Sequence, residues 1–189
     1  MAEDHTIPDK ECSKENFVKD GKVFILGPFD RSISQNVVPE LIDLIGSEAL
    51  SKEPLIPIYV NSYGGYVAEL LSLLSLLDLA KAAGVQIWTY NLGVAFSCGS
   101  MLAVYGDKRY MGRYATNLMH LGSIDSKSHT LVQLDRNHEY DKGHFNRIVD
   151  IYAKHTKMTQ DAIEKALADD CFYLDAKQCL KLGLCDEII

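Results

Sequence analysis

Ser97 lies in the run Gly93-Val94-Ala95-Phe96-Ser97-Cys98-Gly99, between a strand-like apolar segment and a helix-like one. A serine hydroxyl is a weak nucleophile until a base takes its proton. At a strand-to-helix junction it is exposed, and the helix dipole faces the reaction centre. The spacing here is A-x-S-x-G, with Ala95 where the α/β-hydrolase elbow has glycine. A helix-capping serine is the competing structural role, and Ser100 is a second candidate for the nucleophile. Upstream, Asn61-Ser62-Tyr63-Gly64-Gly65 also joins a strand-like run to a helix-like one. Paired glycines let a backbone turn sharply and come close to a substrate. The N–H of Gly65 and that of Cys98 could together hold an oxyanion, although a plain turn explains the glycines equally well. His120 closes the apolar run Leu118-Met119 and is the candidate base. The other histidines, His5, His129, His138, His144 and His155, fall in polar surroundings and read as solvated. A carboxylate should orient the imidazole. Asp169 and Asp170 both offer one, in what is otherwise a solvated acidic turn. No phosphate-binding loop, EF-hand or H-E-x-x-H pattern occurs.

The elements that must position these groups follow from apolar periodicity. Lys22–Leu26, Ile56–Val60 and Val85–Tyr90 read as strands, with shorter ones at Arg109–Met111 and Asn117–Met119. A helix capped by Ser34 is expected to run to Ile45, with Pro39 kinking it or marking its true first turn. Val67–Ala83 reads as a helix bearing Leu70, Leu71, Leu74, Leu77 and Leu79, with Gly84 after its end. Ser97–Tyr105 reads as a short buried helix. From about 129 to 154, Leu131, Leu134, Phe145, Ile148 and Tyr152 form a narrow stripe on a long polar helix, a pattern suited to meeting a partner. Thr159 and Asp175 are expected to cap two last helices, ending near 168 and 182. Strands alternating with helices predict an α/β fold with a mostly parallel sheet. Residues 1–16 read as a flexible arm and 17–189 as a single domain.

The 189 residues suffice to bury a core without staples. Nineteen basic and twenty-six acidic side chains give a net charge of −7, which argues against nucleic acid as a main partner. The five cysteines are odd in number and lack C-x-x-C spacing, so neither a zinc site nor a disulfide framework is expected. Reduced thiols fit a cytoplasmic location. The apolar stretch Val67–Ala83 is interrupted by Glu69, Asp78 and Lys81, too polar for a membrane span.

With these residues in hand, the chain resembles the ClpP family, caseinolytic serine peptidases of the ClpP/crotonase fold, over roughly residues 17–189. Asn61-Ser62-Tyr63-Gly64-Gly65 resembles the family's N-S-P-G-G, and Gly93–Gly99 its G-x-A-x-S-M-G nucleophile segment. Lys108-Arg109 with His120 resembles K-R…M-I-H. His155-Thr156 resembles the H-T that ends the family's long helix, and Gly183-Leu184-Cys185-Asp186 its closing G-L-V-D. Tyr63 replaces the family proline, Cys98 the methionine, and Leu121-Gly122 the Gln-Pro after the histidine.

The resemblance implies a mostly parallel sheet with surrounding helices and a long protruding handle helix. It maps the nucleophile to Ser97, the base to His120 and the catalytic carboxylate to Asp170, with Asp169 as the alternative. Gly65 and Cys98 would form the oxyanion hole. No metal or cofactor is needed. The implied function is that of a serine endopeptidase, the proteolytic subunit of a Clp-type protease that cleaves unfolded polypeptide inside a homo-oligomeric chamber. Heptameric rings stacked in pairs and an AAA+ unfoldase are the implied partners, without nucleic acid or membrane. The competing functions are a crotonase-like acyl-CoA enzyme, a non-catalytic ClpP-like ring subunit and a phage head-maturation protease of related fold.

Overall fold

A computed structural model describes residues 16–121, 131–169 and 172–189, the side chains of 131–141 excepted. The chain opens on a hairpin of β1 (Asn16–Lys19) and β2 (Lys22–Ile25). Its turn residues Asp20 and Gly21 have φ of 51° and 73°, the left-handed pair that a two-residue hairpin turn favours. Asn16, expected in the arm, is buried in β1. Its Nδ2 donates to Pro28 O at 2.7 Å and to Ser32 Oγ at 2.8 Å.

A π-helical turn (Ile33–Val37) leads into α1 (Val38–Ile45), with Pro39 in its first turn. Ser34 was expected to cap this helix but lies within the helical run, its hydroxyl donating to Arg31 O at 3.2 Å. Proline supplies no N–H and crowds the carbonyl four residues back, and the widened turn falls where that crowding occurs. The short α2 (Glu48–Lys52) was not foreseen; Ser47 caps it, accepting the Leu50 N–H at 3.2 Å.

The chain continues through β3 (Leu55–Ser62), α3 (Val67–Ala82), β4 (Gln86–Phe96) and α4 (Cys98–Val104). After β5 (Lys108–Met111) and β6 (Thr116–Met119) come α5 (Leu131–His155), α6 (Gln160–Ala168), β7 (Phe172–Asp175), α7 (Ala176–Leu182) and β8 (Glu187–Ile188). β7 and β8 are too short to show a period. The caps at Thr159 and Asp175 form as the sequence predicts, the second as a reciprocal box with Gln178. In α3, Leu70, Leu74 and Leu77 are buried as expected, whereas Leu79 is 62% exposed.

The sheet runs β1-β2-β3-β4-β5-β8, and β6 pairs with both β4 and β7. Among the described residues only the β1–β2 and β6–β7 pairs are antiparallel, so the expected α/β class with a mostly parallel sheet holds. β4 serves two neighbours in succession. Trp88–Asn91 pair with β5, and Val94–Phe96 pair with β6. An irregularity separates the two stretches, because β3 advances from Val60 to Ser62 while β4 advances from Asn91 to Ala95. Asn61 Oδ1 accepts the Val94 N–H at 3.0 Å and holds this offset. The split brings β6 alongside the end of β4, where Ser97 begins.

One sheet face packs on the helices through Ile56, Ile58, Val60, Ile87, Leu70, Leu73 and Met101, all at most 2% exposed. The other face carries a row of stacked rings, Phe17, Phe24, Tyr59, Tyr90 and Tyr110. Arg109 ties the C-terminus to β5. Its guanidinium pairs with Asp186 and donates to the carbonyls of His155 and Gly183. The same guanidinium holds the Asp186 carboxyl below its usual range.

Inside the core, Tyr152 OH donates to Ser100 Oγ at 2.8 Å, and Ser100 Oγ donates to Asn117 Oδ1 at 2.7 Å. This buried chain links α5, α4 and β6. Removing one donor from a satisfied network costs about 1 kcal/mol, and stranding two buried polar atoms costs more. Tyr152→Phe should therefore lower the unfolding free energy by about 1 kcal/mol, and Ser100→Ala, which strands both neighbours, by a larger amount. Denaturant melts of the two variants, side by side, check the order.

Candidate active site

Ser97 follows the last residue of β4 and caps α4 with φ of 53° and ψ of −119°. A non-glycine residue in this region is strained by about 1–3 kcal/mol. The Ser97 N–H donates to Leu118 O at 3.0 Å, and its carbonyl accepts the Met101 N–H at 3.1 Å. Ser97 makes no side-chain cap hydrogen bond, so the helix-capping role does not account for it. Ser100, the other candidate, is fully buried and engaged at its oxygen with Asn117 and Tyr152.

His120 follows β6 directly and is half-buried. Because Phe96 is in register with Leu118 in a parallel pair, Ser97 and His120 leave neighbouring strands at the same end of the sheet. Leu121 N–H donates to Leu167 O at 3.2 Å, which anchors the end of α6 beside the residue after His120. Asp169 ends α6, its N–H donating to Lys165 O at 3.2 Å. Asp170 lies outside the described residues, as does Gly122.

The Gly64-Gly65 segment is held tightly. Ser62 Oγ donates to Gly27 O at 2.6 Å and accepts the Gly64 N–H at 3.1 Å. Phe29 forms a parallel bridge with Gly65: Phe29 N–H donates to Gly64 O at 2.8 Å, and Tyr66 N–H donates to Phe29 O at 2.7 Å. In such a bridge the central residue's own N–H and C=O point to the opposite side. There the Cys98 thiol donates to Gly65 O at 3.2 Å. Both positions require glycine. Gly64 has φ of 100°, and a Cβ there would lie 2.7 Å from Ser97 Cβ. Gly65 has φ of 148°, and its Cβ would lie 2.4 Å from Phe29 O. Cys98 is the first residue of α4, and its N–H is among the donors that a helix start leaves without an intrahelical acceptor. Burial pushes the pKa of the Cys98 thiol up to about 11.

The structure thus gathers the ends of β3, β4 and β6 with the start of α4 around Ser97, and it seats Gly64 against that side chain. Among the described residues no cluster of three or more histidine, cysteine, aspartate or glutamate side chains is placed to hold a metal ion. Two features escaped the sequence reading. Phe29, which clamps the glycines, follows a Gly-Pro that signals only a strand end. Tyr63, Phe96 and Tyr173 form a row of edge-on rings with centroids 5.4 and 5.6 Å apart. They come from β4, β7 and the residue after β3, so no local spacing could reveal them.

The Clp protease family model matches residues 9–189. The chain belongs to the Clp protease family. The ATP-dependent Clp protease proteolytic subunit of Deinococcus radiodurans is 28% identical over 174 residues, covering 91% of this chain and 81% of that protein. As a Clp protease the chain is a proteolytic subunit and a serine peptidase; neither the acyl-CoA function nor the non-catalytic subunit is favoured. No helix among the described residues is long and apolar enough to cross a membrane.

Proposed function

We propose that this Clp protease works through Ser97 as nucleophile, His120 as general base and Asp170 as the carboxylate that orients the imidazole, with Asp169 as the alternative. His120 takes the hydroxyl proton as Ser97 attacks a peptide carbonyl, then delivers it to the departing amine. The Gly65 and Cys98 N–H groups receive the oxyanion, whose charge develops only in the transition state. Water, deprotonated by the same imidazole, then releases the acyl-enzyme. The observation that carries this reading is the strained, uncapped Ser97 at the mouth of α4, bonded through its N–H to the strand that leads into His120.

The substrate is unfolded polypeptide, cut by endopeptidase action in a chamber formed by copies of this chain. Heptameric rings stacked in pairs are the family's arrangement, with α5 making the ring-to-ring contact and an AAA+ unfoldase feeding the chamber. The word ATP-dependent in the Deinococcus protein's name fits such a partner. The stacked row from Phe17 to Tyr110, on the sheet face opposite the helical core, supports contact with another chain. Residues 16–189 act as one catalytic domain, in the cytoplasm.

A fluorophosphonate probe tests the chemistry. The adduct should map to Ser97 in the assembled protein, and His120→Ala should slow its formation by roughly 10²–10⁴. An adduct on another serine, or one indifferent to His120, overturns the assignment.

A further inference from the structure

We infer that Cys98 is a positioning residue for catalysis: its thiol, hydrogen-bonded to the Gly65 carbonyl, holds the Gly65 N–H in the direction that receives the oxyanion. The inference rests on the active-site reading above and adds a role for a side chain where that reading uses only a backbone N–H.

Gly65 joins two peptide planes, and each is held by Phe29 from one side. Phe29 N–H donates to the carbonyl of the plane that carries the Gly65 N–H, and Phe29 O accepts the N–H of the plane that carries the Gly65 carbonyl. Trans peptides point their C=O and N–H oppositely, so the Gly65 N–H emerges on the face away from Phe29. On that face the thiol is the one hydrogen-bond partner found for Gly65 among the described residues, at 3.2 Å from its carbonyl. Glycine has no Cβ to restrain rotation between the two planes, and Gly65 sits at φ of 148°. A contact from the open side therefore closes a hinge that Phe29 alone grips from behind.

Cys98 is also well placed to transmit the position of α4. It is fully buried, follows Ser97 in sequence, and contributes its own N–H at the helix start. One residue thus ties the Gly65 strand end to the start of α4, where its own N–H and the nucleophile lie. Misplacement of reacting groups by about 1 Å can cost 10²-fold in rate, and a loosened hinge should cost less.

The test compares Cys98→Ala, Cys98→Ser and the unaltered protein on a fluorogenic peptide. It includes inhibition by a peptide aldehyde, whose hemiacetal places an oxygen in the cradle. Cys98→Ala should lower kcat roughly threefold to thirtyfold with KM within about twofold, and should weaken the aldehyde by the same factor as kcat. Cys98→Ser, which keeps a donor, should restore most of both. The inference is overturned if Cys98→Ala matches the unaltered protein, if its loss lies in KM alone, or if Cys98→Ser is as impaired as Cys98→Ala at an equal melting temperature. An unaltered protein that takes no fluorophosphonate at Ser97 sinks the active-site reading and this inference together. Normal Ser97 labelling with an indifferent Cys98→Ala sinks the inference alone.

Discussion

Ser97→Ala should abolish peptide hydrolysis, lowering kcat by roughly 10⁴–10⁶, while the protein folds and assembles as before. The size follows from the role assigned to the hydroxyl. Without it no acyl-enzyme forms, and the remaining amides and imidazole give only the residual catalysis of a prepared cavity. A second variant separates chemistry from strain. Ser97 is held at φ of 53°, a conformation that costs a residue with a Cβ about 1–3 kcal/mol. Ser97→Gly should be equally inactive but more stable than Ser97→Ala by about 1 kcal/mol. Thermal melts of the two beside a fluorogenic peptide assay test both claims. Substantial hydrolysis by Ser97→Ala would show that another group is the nucleophile.

Gly65→Ala should lower kcat by about 10²–10³, the usual cost of losing one oxyanion donor. The added Cβ would lie 2.4 Å from Phe29 O and 2.7 Å from Phe29 N, both backbone atoms. Phe29 cannot yield easily, since its N–H and carbonyl both bond into this segment. The strand end must move instead, and the Gly65 N–H moves with it. Stability should fall by about 1–3 kcal/mol from the forced φ. Gly21→Ala is the control: φ is 73°, but nothing lies within 4 Å of its Cβ position. It should lose some stability and keep its activity. A Gly65→Ala protein with unchanged kcat would remove Gly65 from the oxyanion cradle.

Much of the scaffold was legible in the sequence. The helices capped by Thr159 and Asp175 begin where their caps predict, because a side-chain acceptor next to orphan N–H groups is a local interaction. The strands with clear apolar runs also appear, although β4 extends to Phe96, well past the expected Tyr90. The misread parts depend on distant partners. β7 and β8 exist because β6 and β5 present edges to them. Leu79 sits within the apolar run of α3 yet faces outward, since the sheet covers one side of that helix. The helical run containing Ser34 widens for Pro39 in a way that residue spacing does not reveal.

By itself, the amino-acid sequence determined the chemical groups and their order: a serine before a helix, paired glycines after a strand, a histidine at a strand end. Those are local properties, set by backbone preference and apolar period. It left Ser97 and Ser100 as rivals, and it left the glycines open to a role as a plain turn. Tertiary structure set the serines apart, burying Ser100 between Asn117 and Tyr152 while holding Ser97 uncapped against Gly64. It also turned one face of Gly65 toward Phe29 and the other toward Cys98. The physical reason is that parallel strand register, close backbone approach and burial are set by residues far apart in the chain, and no spacing along the chain encodes them.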